Sequence, residues 1–299
     1  MTSDFRWPPP PDGRPDQPSN NRGPRGGRPT LPLPPTTLVG TPHGVELEIF
    51  ATGTPPQPVT VFAHGLSQGI GETRPLGSGV RGRKVFMHFR GHGRSSAPPG
   101  PWTYLDLSRD LRAVADLTGA TRALGVSLGA GALVRLLADN PTRFERLVIF
   151  LPAALVAPSP DAGERFEALL AAAEDQDPGG LAEVISLEVP GQIRATPTGW
   201  AYLRQRVEQI VHFGLAPELA SLAEEAPLPS SSAVGALSAV TAEALVIGCH
   251  GDEVHPAEVA SEIAAALPKA TLHLYDKPHV MWNERADVRS RIADFLNVG

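Results

Sequence analysis

The chain has 299 residues, enough for one large α/β domain or two small ones. A net charge of −6 gives no basic face suited to nucleic acid, and no run of about 18 apolar residues suggests a membrane span. The single cysteine, Cys249, excludes an internal disulfide and fits a reducing, cytoplasmic setting.

Residues 1–35 are rich in Pro, Arg, Gly and Asp and include Pro8-Pro9-Pro10-Pro11. They lack the basic-then-apolar order of a secretory leader. Such a segment cannot bury enough apolar surface to offset its ordering entropy, so a disordered tail is expected. Thr41-Pro42-His43-Gly44 reads as a hairpin turn before an alternating strand at 45–51. Short β-rich runs follow at 59–63 and 84–89. Residues 105–117 carry Leu107, Leu111, Val114 and Leu117 at helical spacing, with Gly119 just past the end.

A strand at 123–127 then leads into a helix at 128–139, closed by Asn140-Pro141. The apolar runs at 147–151 and 244–248 predict strands buried on both faces. A helix at 256–267, a strand at 271–275 and a helix at 284–296 complete the series. Strands alternating with helices predict an α/β fold: a mostly parallel, doubly wound sheet with an N-terminal hairpin. Residues 154–240 break the rhythm. They are Ala/Glu/Leu-rich and helical, without convincing strands. They predict a helical cap inserted between two parts of a core, 36–153 and 241–299.

Open parallel sheets gather their sites at the carboxyl ends of the strands. Five groups of reactive residues fall at such ends: His64-Gly65, the run 90–95 (Arg-Gly-His-Gly-Arg-Ser), Ser127, Asp252 and His279. Ser127 is the centre of Gly125-Val126-Ser127-Leu128-Gly129, a G-x-S-x-G set between a strand and a helix. A sharp turn there exposes the serine hydroxyl, and the glycines let strand and helix pass closely.

A serine hydroxyl is a poor nucleophile at neutral pH, so it needs a base, and the base needs an orienting carboxylate. His279, in the last loop before the last helix, is the leading base. Asp252 is the leading acid, with Glu253 and Asp276 as runners-up. The loop after 147–151 reads Pro152-Ala153-Ala154 and offers no carboxylate. An oxyanion needs two donors, for which the N–H groups of Leu66 and Leu128 are the candidates.

With these residues in this order, the region from about 36 to 298 resembles the α/β-hydrolase fold superfamily. The resemblance implies Ser127 as nucleophile, Asp252 as acid, His279 as base, and a cap at 154–240. The expected function is a serine hydrolase working through an acyl-enzyme without a cofactor on a small-molecule substrate; a carboxylic ester or lactone leads, and a C–C bond hydrolase, thioesterase, acyltransferase, peptidase or haloperoxidase stays open. One departure stands out: Lys277-Pro278 precedes His279, where the family usually has glycine.

Other readings fit less well. The glycines of 65–71 suggest a nucleotide loop, but Pro75, Gly77 and Gly79 interrupt the helix it requires. His250, Asp252 and His255 suggest a metal set, but on an extended segment followed by a turn they would not converge. His92 and Arg94 are expected to tie down their loop. Trp200, Phe213, Met281 and Trp282 are the aromatic and sulfur residues expected at a substrate pocket. A non-catalytic protein of the same fold, binding a ligand or partner under its cap, is the alternative. Nothing in the sequence sets the oligomeric state.

Overall fold

The structure is a computed structural model that describes residues 35–53 and 58–298. All but the last residue of the proline-rich stretch 1–35 lies outside the described residues. The sheet has eight strands: β1 (Thr37–Gly40), β2 (Glu46–Thr52), β3 (Val59–Ala63), β4 (Arg83–Met87), β5 (Arg122–Val126), β6 (Arg146–Phe150), β7 (Glu243–Cys249) and β8 (Ala270–Tyr275). Their order across the sheet is β1-β2-β4-β3-β5-β6-β7-β8. β1 and β2 form the antiparallel hairpin, β2 pairs antiparallel with β4, and every later pairing is parallel.

Helices cover both faces. α1 (Ile70–Thr73) follows β3, α2 (Tyr104–Thr118) follows β4, and α3 (Leu128–Asp139) follows β5. After β6 come six helices and no strand: α4 (Pro160–Glu174), α5 (Pro178–Ser186), α6 (Gly191–Arg194), α7 (Pro197–Phe213), α8 (Ala220–Ala223) and α9 (Ser231–Val234). α10 (Ala257–Ala266) joins β7 to β8, and α11 (Val280–Asn283) and α12 (Arg285–Leu296) end the chain.

The continuous apolar runs have a geometric cause. Successive strand residues point to opposite faces, and here each face meets its own core. Leu147 and Ile149 of β6 pack with α2, α3 and α10, whereas Val148 and Phe150 pack with Val288, Ile292 and Leu296 of α12. The same alternation runs along β7. The insertion has a third, smaller core, where Leu169 of α4, Leu181 and Ile185 of α5, and Val207 and Ile210 of α7 meet.

The ends of α2 obey local rules. Thr103 accepts from the Asp106 N–H, and the Asp106 carboxylate accepts from the Thr103 N–H, forming a reciprocal cap. Gly119 closes the helix with φ 68°, a left-handed conformation that glycine takes without steric cost. Among the described residues, no helix is long and apolar enough to cross a membrane.

The turn from β5 into α3 is tightly packed. A Cβ on Gly125 would lie 2.3 Å from the Gly129 carbonyl oxygen, and one on Gly129 would lie 2.6 Å from that of Ala63. Both obstacles are backbone and cannot swing away. An alanine in a helix ordinarily stabilises by about 1 kcal/mol over glycine. Here the overlap reverses the sign: Gly129→Ala should lower the unfolding free energy by at least about 2 kcal/mol, read from urea denaturation.

Candidate active site

Ser127 sits at the apex of that turn with φ 49° and ψ −109°, outside the helix that begins at Leu128. Such a backbone costs about 1–3 kcal/mol and persists only where its surroundings enforce it. The Ser127 N–H donates to the Phe150 carbonyl at 3.1 Å, and its carbonyl accepts from the Gly131 N–H at 3.0 Å. The hydroxyl is thereby turned into a cavity of about 840 Å³ between the sheet ends and the helical insertion.

In this cavity Ser127 Oγ lies 3.0 Å from His255 Nε2, and His255 Nδ1 lies 3.1 Å from Asp252 Oδ2. The three side chains form a continuous hydrogen-bonded line. Asp252 is fixed in turn, because its Oδ1 accepts from the N–H groups of Val254 and His255 at 3.1 and 3.0 Å. Burial pushes the Asp252 carboxyl up, but the hydrogen bond and charge of His255 and these two N–H groups outweigh it and hold the carboxyl down at about 2. It is ionised at neutral pH.

His255 is thus the histidine in contact with Ser127. On an extended segment followed by a turn, as the sequence suggests, Asp252 and His255 would not converge. The segment instead folds back through Gly251, at φ 74°, into an Asp-centred turn. A short carboxylate that accepts the N–H groups two and three residues ahead is a familiar local motif. Asp-x-x-His directly before a proline was therefore a usable signal.

His279 caps α11 in a left-handed conformation, with φ 61°, and its imidazole has no hydrogen-bond partner among the described residues. It lines the same cavity, as do Met281 and Trp282. Pro278 rests on the neighbouring loop, where a Cβ on Gly251 would meet its ring at 3.4 Å. Trp200 and Phe213 do not line the cavity. α7 presents Thr198, Ala201, Tyr202 and Gln205 to it, and at about 3.6 residues per turn Trp200 falls on the opposite side while Phe213 lies about two turns beyond. Glu253 lines the cavity, Asp276 does not, and His250 is exposed.

Leu66 and Leu128 both line the cavity beside Ser127. The Leu66 loop is braced from below by three buried histidines. The Phe89 N–H donates to His64 Nε2 at 3.1 Å, the Ser67 N–H to His92 Nε2 at 3.2 Å, and the Ile70 N–H to His88 Nε2 at 3.0 Å. Each ring's Nδ1 faces an acceptor: the carbonyls of Gly65 and Arg90, and the Glu48 carboxylate. This pattern needs neutral rings protonated at Nδ1. Burial pushes His64 well below the usual histidine range, and burial takes His92 to about 3. Glu48 also pairs with Arg94 at 2.8 Å, and Arg90 with Asp110 at 2.8 Å, so the 90–95 run is structural.

The only cysteine is no rival nucleophile. Cys249 is buried at the end of β7, and burial together with Asp252 pushes its thiol up to about 12. Native protein should resist iodoacetamide at neutral pH and react only once unfolded, as mass spectrometry would read. The buried histidines generate a second expectation. Unfolded histidine takes up protons below about pH 6.5, whereas folded His92 does so only near pH 3. Its contribution to stability is full above about pH 6.5 and is lost progressively as the pH falls. His92→Asn should reduce the acid slope of unfolding free energy by up to about 1.4 kcal/mol per pH unit, measured by urea melts from pH 7 to about pH 4.

A profile of the alpha/beta hydrolase family matches residues 60–290. Comparison with curated proteins gave no match. Among solved structures, the chain is similar to an enol-lactonase from Burkholderia xenovorans, with a TM-score of 0.72, 23% identity, and coverage of 88% of this chain and 100% of that one. It is similar to a hydrolase from Pseudomonas aeruginosa, with a TM-score of 0.70, 24% identity, and coverage of 88% and 98%. It is also similar to an esterase from Exiguobacterium antarcticum, with a TM-score of 0.70, 17% identity, and coverage of 88% and 99%. At these identities the likeness establishes the fold, and the profile establishes the lineage: the chain belongs to the alpha/beta hydrolase family.

Proposed function

We propose that this protein is a serine hydrolase that cleaves a small carboxylic ester or lactone through an acyl-enzyme. The observation that carries the reading is the line from Ser127 Oγ through His255 to Asp252, with contacts of 3.0 and 3.1 Å. In the reaction, Ser127 Oγ attacks the carbonyl carbon while His255 Nε2 takes its proton. Asp252 stabilises the resulting imidazolium and holds Nδ1–H in place. The N–H groups of Leu66 and Leu128 receive the oxyanion, at about 3–4 kcal/mol of transition-state stabilisation for each donor. Collapse expels the alcohol with the proton from His255. Water, activated by the same ring, then releases the acid.

Apolar side chains such as Leu66, Phe150, Leu169 and Met281 on the cavity wall suit a small, largely uncharged acyl group. The helices of 154–240 act as a lid over it. The esterase and the enol-lactonase among the similar structures lend this substrate class support. A second reading keeps the first and changes the base. His279 faces the same cavity from the loop after β8, where the family carries its histidine, and could replace His255 beside Ser127.

A fluorophosphonate probe and nitrophenyl esters of graded acyl length test both. Labelling should map to Ser127 and disappear in Ser127→Ala, with kcat lower by at least about a thousandfold. His255→Ala should lose about 100-fold or more in kcat, with His279→Ala nearer to wild type. The reverse ranking assigns the base to His279. A native protein that neither labels nor turns over any ester is a binding protein of the same fold.

A further inference from the structure

Resting on the serine-hydrolase reading above, we propose that Arg206 is a positioning residue through which the helical insertion sets the geometry of the oxyanion loop. Arg206 belongs to α7, and its side chain is fully buried. Its guanidinium donates to the Ser67 carbonyl at 2.7 Å and to Ser67 Oγ at 3.4 Å. Ser67 directly follows Leu66, the proposed oxyanion donor.

Ser67 needs holding. The Gln68 N–H donates to the Gly65 carbonyl at 3.1 Å, closing a four-residue turn whose third residue is Ser67. Ser67 has φ 55°, where a turn of this kind ordinarily places glycine. Left to itself a serine would favour negative φ, and the 65–68 turn would relax. Two side chains oppose this. His92 takes the Ser67 N–H from the core side, and Arg206 takes its carbonyl and hydroxyl from the insertion side. The clamp joins the two halves of the molecule across 139 residues of sequence.

The rest of α7 fits this role. A Cβ on Gly69 would come within 3.0 Å of Gln209 Nε2, and one on Gly71 within 3.3 Å of Gln205 Nε2, so the helix lies directly on the loop. The Arg206 charge is held in place too. Burial pulls its pKa down, but the carboxylates of Glu188 and Glu72 more than compensate and raise it, so the group stays cationic. Glu188 lies 3.7 Å from the guanidinium and accepts from the Tyr202 hydroxyl at 2.5 Å. A buried arginine is costly unless it is paired and makes several directed contacts. An apolar side chain would serve the packing of α7, but it could not grip a carbonyl.

The test compares wild type, Arg206→Met, Arg206→Lys and the double variant Arg206→Met/Ser67→Gly. It uses nitrophenyl ester kinetics, affinity for a trifluoromethyl ketone that mimics the tetrahedral adduct, and thermal melts. Arg206→Met should lower kcat by about tenfold or more with KM within about threefold, and weaken the ketone by a similar factor. Arg206→Lys should restore part of kcat. Glycine takes positive φ unaided, so the double variant should also recover kcat, and without regaining thermal stability. If Arg206→Met does not fold, Glu188→Gln replaces it and should shift kcat and ketone affinity the same way. Unchanged kcat, a loss that only tracks the folded fraction, or failure of Ser67→Gly to restore rate overturns the proposal. Wild-type labelling at Ser127 is the prior control; without it the serine-hydrolase reading fails, and this inference falls with it.

Discussion

The close passage of α3 over the end of β3 is the constraint on which the site depends. Gly129 lies against the Ala63 carbonyl, and Gly125 against Gly129 itself, with no room for a Cβ at either position. Only this approach lets the chain reverse at Ser127 within one residue. It also sets the serine beside the loop that follows β3, because β5 pairs directly with β3. The proposed nucleophile and the proposed oxyanion donors therefore share one packing event.

The polar partners arrive from farther off, and each is governed by what burial does to charge. The histidines under the Leu66 loop are sealed in as neutral rings, so each can accept a backbone N–H that would otherwise be left unpaired. Asp252 is only partly buried, and it stays ionised because three donors converge on it. Arg206 stays charged because carboxylates surround it. The same low-polarity interior thus holds neutral bases, an anion and a cation within one site, and hydrogen bonding decides which is which. On the proposed reading the labour is divided: the sheet ends carry the proposed reacting groups, and the helices of 154–240 supply part of the wall and the proposed clamp.

Much of the architecture was legible because it is local. The unbroken apolar runs of β6 and β7 report two buried faces, and the structure has a core on each. Gly119 ends α2 in the left-handed conformation that capping favours, and Asn140 and Pro256 stand at the ends of α3 and α10. The strand, serine and helix of the G-x-S-x-G lie within two residues of where they were predicted. The loop after β6 holds no carboxylate, which turned attention to the loop after β7, where Asp252 stands hydrogen-bonded to His255.

Which histidine that would be was not legible. Asp252 and His255 meet through an Asp-centred turn only four residues long, and His279 approaches from another strand. Choosing between them requires the relative height of two loops, which no periodicity encodes. Arg206 is a stronger case: as one arginine on a mixed helix it carries no signal, and its meaning comes from a serine 139 residues earlier with an unfavourable φ. The sequence by itself determined the elements, the glycine-lined turn and the serine at its apex, because these follow from backbone sterics and short-range hydrophobic pattern. Only the tertiary structure decided which imidazole meets that serine and what steadies the neighbouring loop, because those depend on where distant segments come to rest against one another.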